Sequence, residues 1–176
     1  VRVIFLWHAL SAQMIREIEN IFLDFPGYGC FACDPRNTHG LRLRFYADDE
    51  KGDVYTRITP EKHLQGFPGI LHGGIQCALV DEVAFWTMFD KYKKIALTAK
   101  IDMEFLRPVG TASELEVRGR IAGEDGRKVR VEVVIYEQQK VCTRSRVDYI
   151  IPKKEVTLRV MGKEKIKKKF KKYLDD

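Results

Sequence analysis

The sequence predicts an α+β domain: an antiparallel sheet of about six strands wrapped around one long central helix. Three observations predict it. Residues 73–91 are long enough for about five helical turns and are apolar on nearly every face. A helix of that kind is buried inside its own protein. Four later segments alternate apolar and polar residues, the pattern of half-buried strands, and short turns join them so that neighbours pair antiparallel. The helix and the apolar faces of these strands each need a partner, and each is the partner available to the other.

The elements follow in chain order. "SAQMIREIENIFLD" (11–24) spaces Met14, Ile15, Ile18, Ile21 and Phe22 as on a helix face, with Ser11 as N-cap. "FPGYGCFACDPRNTHG" is rich in Gly and Pro and reads as a loop. "LRLRF" (41–45) and "DVYTRIT" (53–59) alternate as strands around the turn "ADDEKGD", and residues 60–71 form a second loop. After the helix come "IALTAKIDMEFLR", "SELEVRGRIA", "RKVRVEVVIYE" and "KVCTRSRVDYI", joined by "PVGT", "GEDG" and "QQ". The tail "KEKIKKKFKKYLDD" places Ile166, Phe170 and Leu174 four apart among lysines, as in a short basic amphipathic helix. The expected division is an N-terminal extension and helix (1–27), a main domain (28–151) and a basic tail (152–176).

Composition narrows the function classes. The 176 residues suit one domain with appendages, and 45% apolar content is enough for a core. No apolar run approaches the ~20 residues of a membrane span. "VRVIFLWHAL" resembles the apolar part of a signal peptide but lacks a basic start and a small-residue cleavage site. A cytoplasmic location is therefore expected, with Met14 an alternative start. The net charge of +6 is local: residues 151–176 hold ten Lys/Arg against four Asp/Glu, and the remaining chain has 21 of each. The favoured reading of the tail is a solvated helix. Contact with an anionic membrane surface is the sharper alternative, and no nucleic-acid partner is expected, since no aromatic interleaving supports one.

The chemistry concentrates in "QGFPGILHGGIQCALVDE" (65–82). Gly73 and Gly74 open the long helix, where N–H groups lack intrahelical partners and the dipole is positive. Asp81 and Glu82 sit inside its apolar run. Buried carboxylates are rare unless paired or functional, and burial lifts their pKa toward the range of a general base. The two acids point about 100° apart, so one of them is expected to be structural. The bland alternatives are that His72 caps the helix, that the glycines ease a turn, and that the acids pair with nearby bases.

HGG at a helix start with an acid nine residues after the His resembles the hotdog-fold acyl-CoA thioesterases of the phenylacetate-degradation type. "GCFACDPRNTHGLRLRF" (29–45) is similar to the lead-in of many such proteins, and the likeness spans roughly residues 28–150. It implies thioester hydrolysis of acyl-CoA without metal or other cofactor, in a homodimer or homotetramer. Carried over residue by residue, Gly73 N–H polarises the thioester carbonyl, His72 orients the turn or contacts the sulfur, and Asp81 is base or nucleophile. Thr98 helps hold the attacking water, or is simply a β-favouring residue. Gly74, Glu82 and Phe67 are further candidates for substrate contact. Phe67, Phe85, Trp86 and Phe89 either line an acyl pocket or fill the core. Several relatives carry Asn or Gln where Gly66 stands here, so Gln65 takes that role or the role is absent. Arg107, at a strand end, reads first as a solvated Arg and second as a contact for a coenzyme A phosphate; Lys100, Arg144 and Arg146 are similar weak candidates.

One deduction needs no family. Gly73 and Asp81 are separated by about 12 Å along one helix, yet both must lie near 3 Å from one carbonyl group. A catalytic reading therefore needs two copies, each supplying half of the site. The rivals are a non-catalytic acyl-CoA-binding protein and, ranked last, a dehydratase or hydratase, because the helix lacks the His–acid pair that such chemistry uses. Cys77 and Cys142 read as small hydrophobes. Cys30 and Cys33 form a CxxC that reads as loop packing; zinc held with His39 or His63 is the weaker option, because a closed site wants a second ligand pair.

Overall fold

The computed structural model describes residues 15–174. At its centre is α1 (Gly73–Tyr92), which buries Gln76, Leu79, Val80, Val83, Ala84, Trp86, Thr87, Met88 and Phe89. Around it curls a seven-stranded antiparallel sheet: β1 (Ile15–Glu17), β2 (Tyr46–Asp48), β3 (Asp53–Ile58), β6 (Leu97–Phe105), β7 (Leu115–Asp125), β8 (Lys128–Glu137) and β9 (Lys140–Ile150). The spatial order is β1-β2-β3-β7-β8-β9-β6, with β6 at an edge. A small ribbon, β4 (Gln65–Phe67) and β5 (Ile70–Leu71), lies before α1 in the predicted loop, and α2 (Lys154–Met161) follows the sheet.

The alternation in β7, β8 and β9 works as its period dictates. Leu115, Val117, Val131, Val133, Ile135 and Val147 are all fully buried against the helix. Contact between helix and sheet is close enough to need a glycine: a Cβ at Gly119 would stand 2.5 Å from Thr87 Oγ1. Gln76 ties the layers together, its Oε1 accepting from Thr143 Oγ1 of β9 at 2.6 Å. The predicted "QQ" turn is a tight hairpin with Gln138 and Gln139 both at positive φ, the conformation a two-residue connection demands.

Four expectations need correction. The predicted N-terminal helix is, in its described part, the strand β1 followed by one 3-10 turn (Ile21–Asp24); β1 satisfies its backbone against β2 instead. Ser11 and Met14 lie outside the described residues. "LRLRF" buries Leu43 and Phe45 as its alternation says but joins no sheet. Leu41 and Leu43 donate to the Phe31 and Ala32 carbonyls, and Arg42 adopts φ 51.

The helix is not buried all round: Gly74 is exposed, and Cys77, Ala78, Asp81 and Phe85 are half-buried on a stripe at spacings of three and four. The tail is not a solvated amphipathic helix either. It runs through α2 and two 3-10 segments, and Ile166, Phe170 and Leu174 are buried. Phe170 stacks on Phe22, with centroids 6.4 Å apart, and Tyr173 meets Phe89 at 5.3 Å. Ile95 N donates to Tyr173 O at 2.9 Å. The apolar tail residues thus seal the C-terminal end of α1, and the lysines between them face outward. Among the described residues no helix is long and apolar enough to cross a membrane.

Candidate functional site

The site begins at the turn into α1. His72 N donates to Leu64 O at 3.0 Å and Leu71 N to Val109 O at 2.8 Å, which anchors the β4–β5 ribbon over the helix start. His72 is the N-cap: its Nδ1 accepts from Gly74 N at 2.9 Å. An accepting Nδ1 places the proton of the neutral ring on Nε2. Gly74 N–H is therefore engaged, whereas Gly73 N–H has no partner among the described hydrogen bonds. Gln65 Oε1 accepts from Gly69 N at 3.1 Å and so holds the ribbon turn. A Cβ at Gly66 would lie 3.3 Å from His72 Cδ2, so the Asn or Gln of some relatives would press on this imidazole.

Two turns along α1, Asp81 meets two hydroxyls. Thr98 Oγ1 donates to Asp81 Oδ1 at 2.7 Å. Tyr149 Oη lies 2.7 Å from the Asp81 carbonyl O and 3.0 Å from Oδ1, and its single proton serves one of them at a time. Thr98 and Tyr149 are direct cross-strand partners on β6 and β9, at a register shift between Thr98 and Lys100. Such a bulge re-aims a side chain, here toward the helix. Burial, with Asp81 beside it, pushes the Tyr149 phenol above its usual range, so it stays a proton donor. Asp81 Oδ2 has no partner among the described hydrogen bonds.

Glu82 turns to the other side. Trp86 Nε1 donates to its Oε1 at 3.0 Å, and Cys30 Sγ lies 3.6 Å from its Oε2. Burial first, and Cys30 second, push the Glu82 carboxyl up to about 7. Cys33 and the N–H groups of the CxxC turn favour the Cys30 thiolate, drawing that thiol down to about 5, while Cys33 itself is pushed up by Cys30 and by burial. The two acids share one pocket of about 320 Å³, whose walls include Tyr28, Phe85, Leu97, Thr98, Tyr149 and Met161.

The structure gathers Asp81, Thr98 and Glu82 and leaves the HGG turn apart from them within one chain. Phe85 is a pocket wall, whereas Trp86 and Phe89 are core. Phe67 does neither job inside one chain: it is 75% exposed on the β4–β5 ribbon. Arg107 is exposed and donates to the Val141 carbonyl. Neither His39 nor His63 joins the CxxC; the third group beside Cys30 and Cys33 is Glu82. Sequence reasoning missed Tyr149, reading it as one more apolar strand position. The available signal was chemical: a buried Tyr must find a partner for its hydroxyl.

Comparison with known proteins agrees with this architecture. Residues 68–143 match the family model of the thioesterase superfamily. A crystal structure of a thioesterase superfamily protein superposes with a TM-score of 0.61 at 25% identity, covering 66% of this chain and 57% of that one. The PaaI protein of the phenylacetic acid degradation operon of E. coli superposes with a TM-score of 0.53 at 18% identity, covering 56% of this chain and 72% of its own. That second likeness speaks for the fold alone. The class is therefore the hotdog fold. Within it, the segment from 68 to 143 is similar in sequence to the thioesterase superfamily. Acyl-coenzyme A thioesterase THEM4 of Rattus norvegicus is 32% identical over 73 residues, 42% of this chain. The chain spans about a third (31%) of the length of that curated relative.

Proposed function

We propose that this protein hydrolyses acyl-CoA thioesters to free acid and CoA, in a site completed by two copies of the chain. The observation that carries the reading is Asp81 with Thr98 donating to Oδ1, the Tyr149 hydroxyl within 3.0 Å of the same oxygen, and no partner on Oδ2 among the described hydrogen bonds. Asp81 Oδ2 either draws a proton from water attacking the thioester carbonyl or attacks that carbonyl itself. Thr98, its proton committed to Asp81, keeps lone pairs to hold the water. Gly73 N–H, at a helix N-terminus and without a partner among the described hydrogen bonds, stabilises the developing oxyanion.

The topology supports the two-copy requirement. Edge strand β6 runs antiparallel beside the first half of α1. Its start carries Thr98 next to Asp81. Its end carries Phe105, whose ring would stand 3.7 Å from a Cβ on Gly73. An edge of nine residues with Leu97 41% and Phe105 54% exposed is a template for pairing. Two β6 strands paired antiparallel about a two-fold axis near Ile101 set Phe105 of one copy opposite Leu97 of the other. Gly73 of one copy then approaches Asp81 of the second, an isologous contact that builds two equal sites.

A thiol-release assay over short, long and aromatic acyl-CoAs tests the reading, run beside Asp81→Ala. Hydrolysis by the parent and none by the folded variant is expected. Undiminished hydrolysis by Asp81→Ala would remove the assignment. A parent that binds acyl-CoA but cleaves none would make the chain a non-catalytic binder. Single-turnover reaction in oxygen-18 water separates base from nucleophile, since only a nucleophilic Asp81 incorporates the label.

A further inference from the structure

We propose that Cys30, Cys33 and Glu82 form a three-ligand site for a thiophilic divalent cation, opening onto the pocket that holds Asp81. The two sulfurs and a carboxylate oxygen all lie within 4.8 Å of one another. A tetrahedral zinc ion with its usual bond lengths holds sulfur and oxygen about 3.5 Å apart and two sulfurs about 3.8 Å apart. Cys30 Sγ and Glu82 Oε2 already stand 3.6 Å apart, so closing on a cation needs only small side-chain shifts.

The surroundings fit ligands held in place. Trp86 Nε1–H engages Glu82 Oε1 at 3.0 Å and leaves Oε2 on the cysteine side. Tyr28 Oη lies 2.8 Å from Cys33 Sγ, and Asn20 Nδ2 donates to Cys33 O at 3.1 Å. The loop is clamped from behind by Leu41 N→Phe31 O and Leu43 N→Ala32 O, both 2.8 Å. Outer contacts of this kind orient metal ligands. Among the described contacts, no Lys, Arg or His touches any of the three groups. Two thiols and a carboxyl converging on one point are a donor set that a thiophilic cation takes, its charge offsetting the protons they release on binding. All four cysteines are free, so the pair is not consumed by a disulfide.

Three protein ligands leave a fourth position, as in exchangeable rather than closed sites. Cys30 and Glu82 both line the pocket, so that position faces the same space as Asp81. The inference does not depend on hydrolysis, and its test uses no substrate. Phosphine-reduced full-length protein is titrated with cobalt(II) alone. The expected result is one cobalt per chain with a near-ultraviolet thiolate-to-cobalt band that zinc bleaches. Cys30→Ser and Cys33→Ser, each checked for folding by circular dichroism, should abolish the band. Glu82→Gln should keep it with affinity reduced at least about tenfold. Absence of the band in the folded parent, or a band unchanged in folded Cys33→Ser, overturns the site.

Discussion

The two halves of α1 do opposite work. The first half, from Gly73 to Glu82, carries an N–H with no partner among the described residues, two carboxylates and a half-buried stripe. The second half, from Val83 to Tyr92, is an aromatic block. Trp86 stacks on Phe45 with centroids 5.4 Å apart, and Phe22 meets Phe85, Trp86 and Phe89. The tail then seals that end through Phe170 and Tyr173. On the proposed function, one helix thus divides stability from chemistry along its length. Packing is completed within one chain at one end, and polar groups are left for a ligand or a second copy at the other.

Substitutions can break this contrast. Asp81→Asn should have the largest effect, lowering hydrolysis by about 10²–10⁴-fold, the range for losing a general base. Its thermal midpoint should stay within a few degrees, and a large fall in midpoint would move Asp81 to the structural half. Phe170→Ala should do the reverse: about 3–5 kcal/mol of stability lost in denaturant unfolding, with the activity of the fraction still folded retained. Tyr149→Phe removes a hydroxyl from a carboxylate and should cost about 1.5–3 kcal/mol in transition-state stabilisation, read as kcat/KM, while a change in KM alone would count against it.

Smaller effects sharpen the boundary. Gly74→Ala places a Cβ 3.0 Å from His72 Nδ1, whereas Gly73→Ala meets only the Phe105 ring at 3.7 Å. Gly74→Ala should therefore lose about 1 kcal/mol of cap stability. Gly73→Ala should be near neutral in melting yet impaired in hydrolysis. The smallest effect concerns Asp90, at the sealed end. Burial raises its carboxyl pKa, but Arg16, with Nη1 at 3.0 Å, and Lys93, with Nζ at 2.8 Å, outweigh burial and bring it below the usual value. A depressed folded pKa means that the stabilisation is present above about pH 4, the unfolded value. It is lost as pH falls through the folded value. Both cations are about half exposed, so Asp90→Asn should cost about 0.5–1 kcal/mol at pH 7. It should also flatten the acid limb of a stability–pH curve.

Much of the fold was legible along the chain. β7, β8 and β9 begin and end within a few residues of their alternating segments, because a strand with one buried face writes period two into its own sequence. The helix was legible from its length and from HGG at its head. "LRLRF" shows where periodicity misleads. Its alternation reports burial correctly, but whether a segment joins a ladder depends on where its backbone bonds go, and here they go to the CxxC loop. The tail misled in the opposite direction: apolar residues four apart mark a buried face, but not what it is buried against.

For the site, local sequence determined the types and spacing of the groups on α1: a capped glycine turn, an acid two turns on, and a second acid beside it at a different angle. It also determined that one helix cannot bring Gly73 and Asp81 to one carbonyl, since the rise per residue is a property of the backbone. Tertiary structure alone decided which acid meets which partners. Thr98 lies 17 residues from Asp81 and Tyr149 lies 68 away, while Cys30 is 52 residues from Glu82. Such pairings depend on how the sheet curls around the helix and on where its register shifts, and no local period encodes that. The physical reason is range: propensity, periodicity and capping act within a few residues, whereas a carboxyl's partners are set by elements that meet only when the core has formed.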